Sequence, residues 1–108
     1  MTSLTDFKEV WLVDFEFAAP SGAVPEVRCM VALEYFSGRK IRLWIDDIEN
    51  LNHPPYNIGK DALFVAYYAS AEFNCHLALG WELPYYALDL RCQPWKAKRG
   101  LVVRDRRR

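Results

Sequence analysis

Cysteine is scarce in this chain, and its three occurrences follow no recognised pairing pattern. The thiols belong to Cys29, Cys75 and Cys92. An odd number of cysteines without Cys-x-x-Cys spacing argues against a disulfide framework and against a zinc site. We therefore interpret all three as reduced thiols, which is typical of a cytoplasmic protein.

Long hydrophobic runs are absent as well. No apolar stretch approaches the roughly 20 residues that a helix needs to span a bilayer, and the first nine residues lack the basic start and apolar stretch of a signal peptide. The sequence therefore predicts no membrane partner. With 52% hydrophobic and 26% charged residues, the 108-residue chain has the composition of one globular domain.

Positive charge is scarce before residue 91 and abundant after it. Residues 1–90 carry six Lys/Arg against thirteen Asp/Glu, a net charge of −7, whereas residues 91–108 carry eight Lys/Arg and one acid, a net of +7. We expect a domain over 1–90 and a disordered basic tail over 91–108. Such a tail could bind phosphates through counterion release. It could equally be an accidental ending, such as a shifted reading frame in a truncated gene.

Periodicity predicts the order of the secondary structure. Alternating apolar and polar residues predict three strands, at 10–17, about 25–36 and 40–45. A helical turn at 46–51, a buried strand at 62–67, a helix over 71–79 with Ser70 as N-cap and Gly80 as C-cap, and a short strand at 87–90 follow. An antiparallel three-stranded meander followed by strand, helix and strand is typical of an α/β fold with a mixed sheet.

Two acids interrupt the first predicted strand. Asp14 and Glu16 point the same way because side chains alternate along a strand, and the other face, which can sit on a core, is lined by Trp11, Val13, Phe15 and Phe17. Their Cα atoms would stand about 6.5–7 Å apart, so both carboxylates could converge on divalent cations. The alternative is a half-exposed edge strand with two solvated acids.

Two further acids stand at the ends of later elements. Glu72 lies in the first turn of the predicted helix, where the helix dipole alone would favour its charge. Asp89 lies on a short apolar strand between Leu88 and Leu90. Cys75 and His76 are neighbours on the same helix, cannot share one face, and are interpreted as packing residues.

Taken together, these acids resemble the motifs of the DEDD superfamily of 3′→5′ exonucleases, in particular the proofreading-type domain of bacterial and phage family A DNA polymerases. Val-Asp-Phe-Glu-Phe at 13–17 is similar to the first motif, and residues 63–72, which end in Ala-Glu, are similar to the second. Asp89 matches an Asp that commonly follows the second-motif helix. The resemblance covers roughly residues 10–90 and implies a ribonuclease H-like mixed sheet.

The resemblance also implies a chemistry and a set of site residues. Phosphodiester hydrolysis by two metal ions about 3.5–4 Å apart requires carboxylates around both ions. Asp14 would bridge two Mg²⁺ or Mn²⁺ ions, Glu16 would bind the nucleophile-side ion, and Glu72 would take the place of the second-motif Asp. Phe15, Phe17 and Tyr68 would contact the 3′ end of single-stranded DNA or RNA, with Tyr68 able to stack on a base.

The chain departs from the family pattern in three ways. Glu72 replaces an Asp, and Tyr68 stands where an Asn is usual. The third motif, a Tyr or His base ahead of a final Asp, has no counterpart, and Asp105 does not fit it. We therefore expect a truncated exonuclease domain, weak or inactive alone, with one sheet face partly uncovered and either marginal stability or self-association.

Two other hypotheses stay open from the sequence. The chain could be a non-enzymatic nucleic-acid- or partner-binding remnant in which the basic tail supplies the affinity. It could also be a small α/β protein with no nucleic-acid role. Substitution of Asp14 discriminates the first hypothesis from the second, since only an exonuclease-type site needs that carboxylate.

Overall fold

A computed structural model describes residues 3–19, 24–92 and 101–103 of the chain, with only the backbone described at 92 and 101–103. Its elements are β1 (Glu9–Ala18), β2 (Glu26–Glu34), β3 (Lys40–Trp44), α1 (Ile45–Ile48), β4 (Ala62–Ala66), α2 (Ala69–Ala78), β5 (Tyr86–Asp89) and β6 (Leu101–Val103). Single 3₁₀ turns lie at Leu4–Asp6 and Leu90–Cys92.

The strands form one mixed sheet in the order β3-β2-β1-β4-β5-β6. β1, β2 and β3 pair antiparallel, which confirms the predicted meander. β4 pairs parallel to β1, and β5 pairs parallel to β4, so these three strands end at the same edge of the sheet. The predicted α/β class with a mixed sheet is therefore correct.

The predicted basic tail enters the described structure in two places. Arg91 belongs to the 3₁₀ turn after β5, and β6 pairs antiparallel to β5. Residues 101–103 therefore add a strand to the sheet, although the sequence predicts no order there. The remaining tail positions, 93–100 and 104–108, lie outside the described residues.

The larger core lies on the sheet face that both helices cover. Trp11, Val13 and Phe15 of β1 point into it, as the alternation predicts, and pack with β2, β4 and α2. Burial of each large apolar side chain stabilises the fold by about 1.5–3 kcal/mol. This face fixes the positions of β1 and α2 relative to each other.

The opposite sheet face has a smaller core and an open part. Phe7, Val10, Leu63 and Val65 are buried there, close to the amino-terminal ends of the parallel strands. Nearer the carboxyl end of β1, this face becomes solvent-exposed. The exposed part agrees with the expected uncovered face, while self-association through it stays a prediction.

Helix α2 begins and ends differently from its predicted caps. It begins at Ala69, and the N-cap is Tyr68 without a side-chain capping hydrogen bond, so the assignment of Ser70 as N-cap is wrong. The helix ends at Ala78 with Leu79 as C-cap, and Gly80 follows with φ +75°. Trp81 N–H donates to the His76 carbonyl and Gly80 N–H to that of Leu77, which together form a Schellman motif.

Candidate functional site

The candidate site lies where β1 extends beyond its parallel neighbour. Pairing of β1 with β4 stops at Leu12 and Val65, and β4 ends at Ala66, whereas β1 continues to Ala18. The β4-facing edge of β1 therefore loses its strand partner past Leu12. Side chains can bind its backbone groups there, at the edge where ligands commonly bind in α/β sheets.

Glu72 occupies this free edge. One oxygen of its buried carboxylate, Oε1, accepts a hydrogen bond of 2.9 Å from the backbone N–H of Phe15. Phe15 stands between Asp14 and Glu16 in the chain, so the Glu72 carboxylate lies beside the two strand acids. The structure therefore brings Glu72 to the segment of β1 that carries Asp14 and Glu16, while Asp89, the fourth acid of the sequence analysis, lies at the end of β5.

The electrostatics of Glu72 reflect this proximity. Burial first, and then the negative charges of Asp14 and Glu16, raise the pKa of the Glu72 carboxyl to about 7 against the opposing effect of the Phe15 hydrogen bond. A carboxylate with this pKa is partly protonated at neutral pH. Burial and the two neighbouring acids thus disfavour the ionised form of Glu72.

Asp14 and Glu16 are exposed, and they lie on the sheet face opposite Phe15. The Phe15 ring is only 3% exposed and packs against His76 and Trp81, with ring centroids 5.9 and 6.1 Å away. The predicted substrate contact of Phe15 therefore needs correction, because its ring belongs to the core and only its backbone is at the site.

Phe17 lies next to an irregularity of the β1–β2 pairing. Glu16 pairs with Cys29 and Phe17 with Val27, so Arg28 is an extra residue on β2, as in a β-bulge. Arg28 is exposed, and Phe17 is 36% exposed, so the prediction that Phe17 packs on the core with Phe15 is wrong. Bulges change the direction of side chains near functional sites, and this one follows Glu16 directly.

Tyr68 precedes α2 and is 40% exposed, but a cation occupies one face of its ring. The guanidinium carbon of Arg91 lies 3.7 Å from the ring centroid. Arg91 N–H is also placed to donate to the Tyr67 carbonyl at 2.7 Å. Nothing local in the sequence links positions 68 and 91, so this contact was not predicted; parallel pairing of β4 and β5 brings the two residues together.

Asp89 has a local structural role. Its side chain is buried, and Oδ1 accepts a hydrogen bond of 3.0 Å from the Arg91 N–H in the turn after β5. Asp89 pairs with Ala66 at the end of the β4–β5 ladder. This short-range bond is the one expected of an Asp at a turn, and it orients the backbone that carries Arg91.

His76 is a neutral, fully buried residue beside the larger core. Its Nδ1 lies 2.8 Å from the Glu82 carbonyl, which only accepts, so Nδ1 carries the proton and Nε2 accepts from the Tyr56 hydroxyl at 2.6 Å. Burial lowers the pKa of His76 to about 4, against the opposing effect of the Glu82 bond. Burial first, and then the charge of Glu72, raise the pKa of the Cys75 thiol to about 12. Both residues pack in the core, as predicted.

The three acids have the ligand chemistry that a divalent cation needs, but the described structure does not arrange them around a metal site. Three carboxylates offer the hard oxygen ligands that Mg²⁺ and Mn²⁺ prefer, and a cation nearby would counteract both burial and the Asp14 and Glu16 charges, which raise the pKa of Glu72. Across residues 3–19, 24–92 and 101–103, however, no group of three or more His, Cys, Asp or Glu side chains is arranged to hold a metal ion. One Glu72 oxygen is bound to Phe15, and the strand acids face solvent.

None of the helices in the described part of the chain is long and apolar enough to cross a membrane. Comparison of the chain with protein-family models, with curated proteins and with solved structures finds no match.

Proposed function

We propose that the chain carries an exonuclease-type site for metal-dependent hydrolysis of the 3′-terminal phosphodiester of a nucleic acid, weak or inactive in this chain by itself. The observation that carries the proposal is the contact of Glu72 with Phe15, between Asp14 and Glu16. An antiparallel meander followed by a parallel strand, helix and strand supports the ribonuclease H-like fold that the resemblance implies.

Each acid has a distinct role in this proposal. Asp14 and Glu16, both exposed, are free to change rotamer and to bind a cation from the strand. Glu72 offers its second oxygen while Phe15 N–H holds the first. When bound, a pair of divalent cations would supply a hydroxide nucleophile and stabilise the leaving 3′ oxygen.

The surroundings of Glu72 favour a cation over bulk water as its partner. The carboxylate is buried, so the low local dielectric strengthens its interaction with any nearby charge. Neighbouring charges in the described structure are negative, from Asp14 and Glu16. A bound cation would therefore lower the pKa of Glu72 and stabilise the ionised form.

Low activity follows from the residues that are missing. The sequence has no Tyr or His base with a following Asp that matches the third motif. Neither His76 nor Tyr56 can replace that base, because both are buried and hydrogen-bonded to each other. We therefore expect slow cleavage or none.

The test is a cleavage assay with 5′-labelled single-stranded DNA and Mn²⁺. The native chain is compared with Asp14→Ala and with Asp47→Asn, which alters an exposed acid on α1 as a control. Stepwise shortening from the 3′ end in the native chain and in Asp47→Asn, but not in Asp14→Ala, would support the proposal. Shortening that persists at the same rate in Asp14→Ala would come from a contaminating nuclease and would contradict it.

A further inference from the structure

Two rows of paired residues cross the sheet on the face that carries the strand acids. Strand pairing aligns the first row as Asp14, Val31 and Arg42, and the second as Glu16, Cys29 and Trp44. Residues that pair across neighbouring strands share a face, so Arg42 and Trp44 of β3 lie on the same side as the acids of β1. At about 4.8 Å per strand, Trp44 lies about 10 Å from Glu16.

The exposure of Trp44 is unusual. Its side chain is 70% exposed, although tryptophan is ordinarily among the residues with the largest buried area. Ile41 and Leu43 of the same strand, and Ile45 at the start of α1, are partly buried and pack against the larger core. The period-two pattern therefore forces Trp44 outward together with Arg42, which is also exposed.

We propose that Arg42 and Trp44 form a binding strip for single-stranded nucleic acid beside the acids. A base stacks on the Trp44 indole, and a phosphate contacts the Arg42 guanidinium, so that the strand crosses β2 toward Asp14 and Glu16. The inference rests on the proposed function, because it identifies how that site would hold its substrate. It adds a binding surface on β3 that does not include the acids.

The chemistry of the strip favours a nucleic acid over a second copy of the chain. Stacking platforms for single strands combine aromatic rings with positive charge, as Trp44 and Arg42 do. A stable dimer interface needs about 800 Å² per partner and is depleted of charge at its centre. The first row has a charged side chain at each end, Asp14 and Arg42, and a dimer interface here would bury both.

The test measures affinity without cleavage. A fluorescein-labelled oligothymidylate is titrated with the full chain in EDTA, and anisotropy gives the dissociation constant. Trp44→Ala is compared with Tyr35→Ala, which removes another exposed aromatic ring from the hairpin between β2 and β3. Arg42→Ala is compared with Lys40→Ala, which removes the same charge from the same strand and face.

We expect Trp44→Ala to weaken binding roughly 5- to 150-fold, as loss of one base–aromatic stack does, and Tyr35→Ala to leave it unchanged. Arg42→Ala should weaken binding more than Lys40→Ala and reduce its salt dependence. The inference would be overturned if each substitution in the strip weakened binding no more than its control, or if no substitution weakened binding. A monomer–dimer shift in Trp44→Ala with unchanged DNA affinity would also overturn it, in favour of a protein interface.

Failure of the strip and failure of the acid site are separable. The loss of affinity in EDTA between the native chain and the Arg42 and Trp44 variants reports on the strip, whereas Mn²⁺ binding reports on the acids. Urea denaturation of each variant establishes that it is folded, which is expected because both side chains are exposed.

Discussion

The carboxylate of Glu72 accepts the backbone N–H of Phe15 at 2.9 Å, and so joins helix α2 to a strand 57 residues earlier in the chain. This bond fills the place that β4 would take if it were longer. It satisfies a buried donor of β1, and it places a third negative charge beside Asp14 and Glu16. The same contact therefore serves the fold and concentrates charge at its edge.

The effect of replacing Glu72 on stability should depend on whether the new side chain can accept the hydrogen bond from the Phe15 N–H. In Glu72→Ala the Phe15 N–H loses its acceptor, which costs about 1–3 kcal/mol of the free energy of unfolding. Glu72→Gln keeps an oxygen acceptor and removes the repulsion, so it should be as stable as the native chain at pH 7 or more so. Urea denaturation compares them; equal losses for Ala and Gln would contradict this role of the bond.

The pH dependence of stability should carry the signature of Glu72. Its folded pKa, about 7, lies above the value of 4.5 for an unperturbed carboxyl. The folded state therefore binds more protons between those values, and its stability falls as pH rises from about 4.5 to 7. Glu72→Gln should remove this loss, on the order of 1–3 kcal/mol. Parallel stability profiles between pH 5 and 7 in the native chain and the variant would disprove the shift.

His76 should make the stability of the fold depend on pH in the opposite direction. Its folded pKa of about 4 lies below the ordinary 6.5, so the folded state binds fewer protons between these values and stability falls as pH falls through them. The two slopes partly cancel in the native chain. Glu72→Gln should therefore show stability that rises with pH between 5 and 6.5. Replacement of His76 in that background by Gln should flatten the profile, and a profile that keeps its slope would count against the buried neutral histidine.

Glu34 should stabilise the β2–β3 hairpin through charge. Its buried carboxylate accepts the backbone N–H groups of Val10 and Ser37, each at 2.8 Å. Burial raises the pKa of Glu34, but these bonds outweigh it and lower the pKa to about 2. Glu34→Ala should cost about 2–3 kcal/mol, against little change for the exposed control Glu49→Ala. Native stability should also fall as pH falls from 4.5 toward 2. Similar unfolding midpoints for the two variants would refute this assignment.

Much of the fold follows from period-two patterning, and long-range contacts explain what does not. Alternation along β1, β2 and β3 was sufficient to predict the meander, because one face of each strand is buried and a register slip would expose it. Ser70 was a plausible N-cap by residue type, but the geometry after β4 makes Tyr68 the N-cap instead.

The candidate site was also only partly predictable from the sequence. The sequence predicted the convergence of Asp14, Glu16 and Glu72 only through a family resemblance, since no local pattern relates positions 14 and 72. The stack of Arg91 on Tyr68 and the bond of Tyr56 to His76 depend on which strands and loops become neighbours. Sequence spacing carries no signal for such contacts.

Titration with Mn²⁺, followed by electron paramagnetic resonance, shows whether Asp14, Glu16 and Glu72 bind a divalent cation. The titration compares the native chain with Glu72→Gln and Asp14→Ala at pH 7.5, with Asp47→Asn as control. We expect binding in the native chain and in Asp47→Asn, at least tenfold weaker binding in Glu72→Gln, and none in Asp14→Ala. No binding to the folded native chain, or equal binding to all four, would contradict the claim that these acids form a cation site.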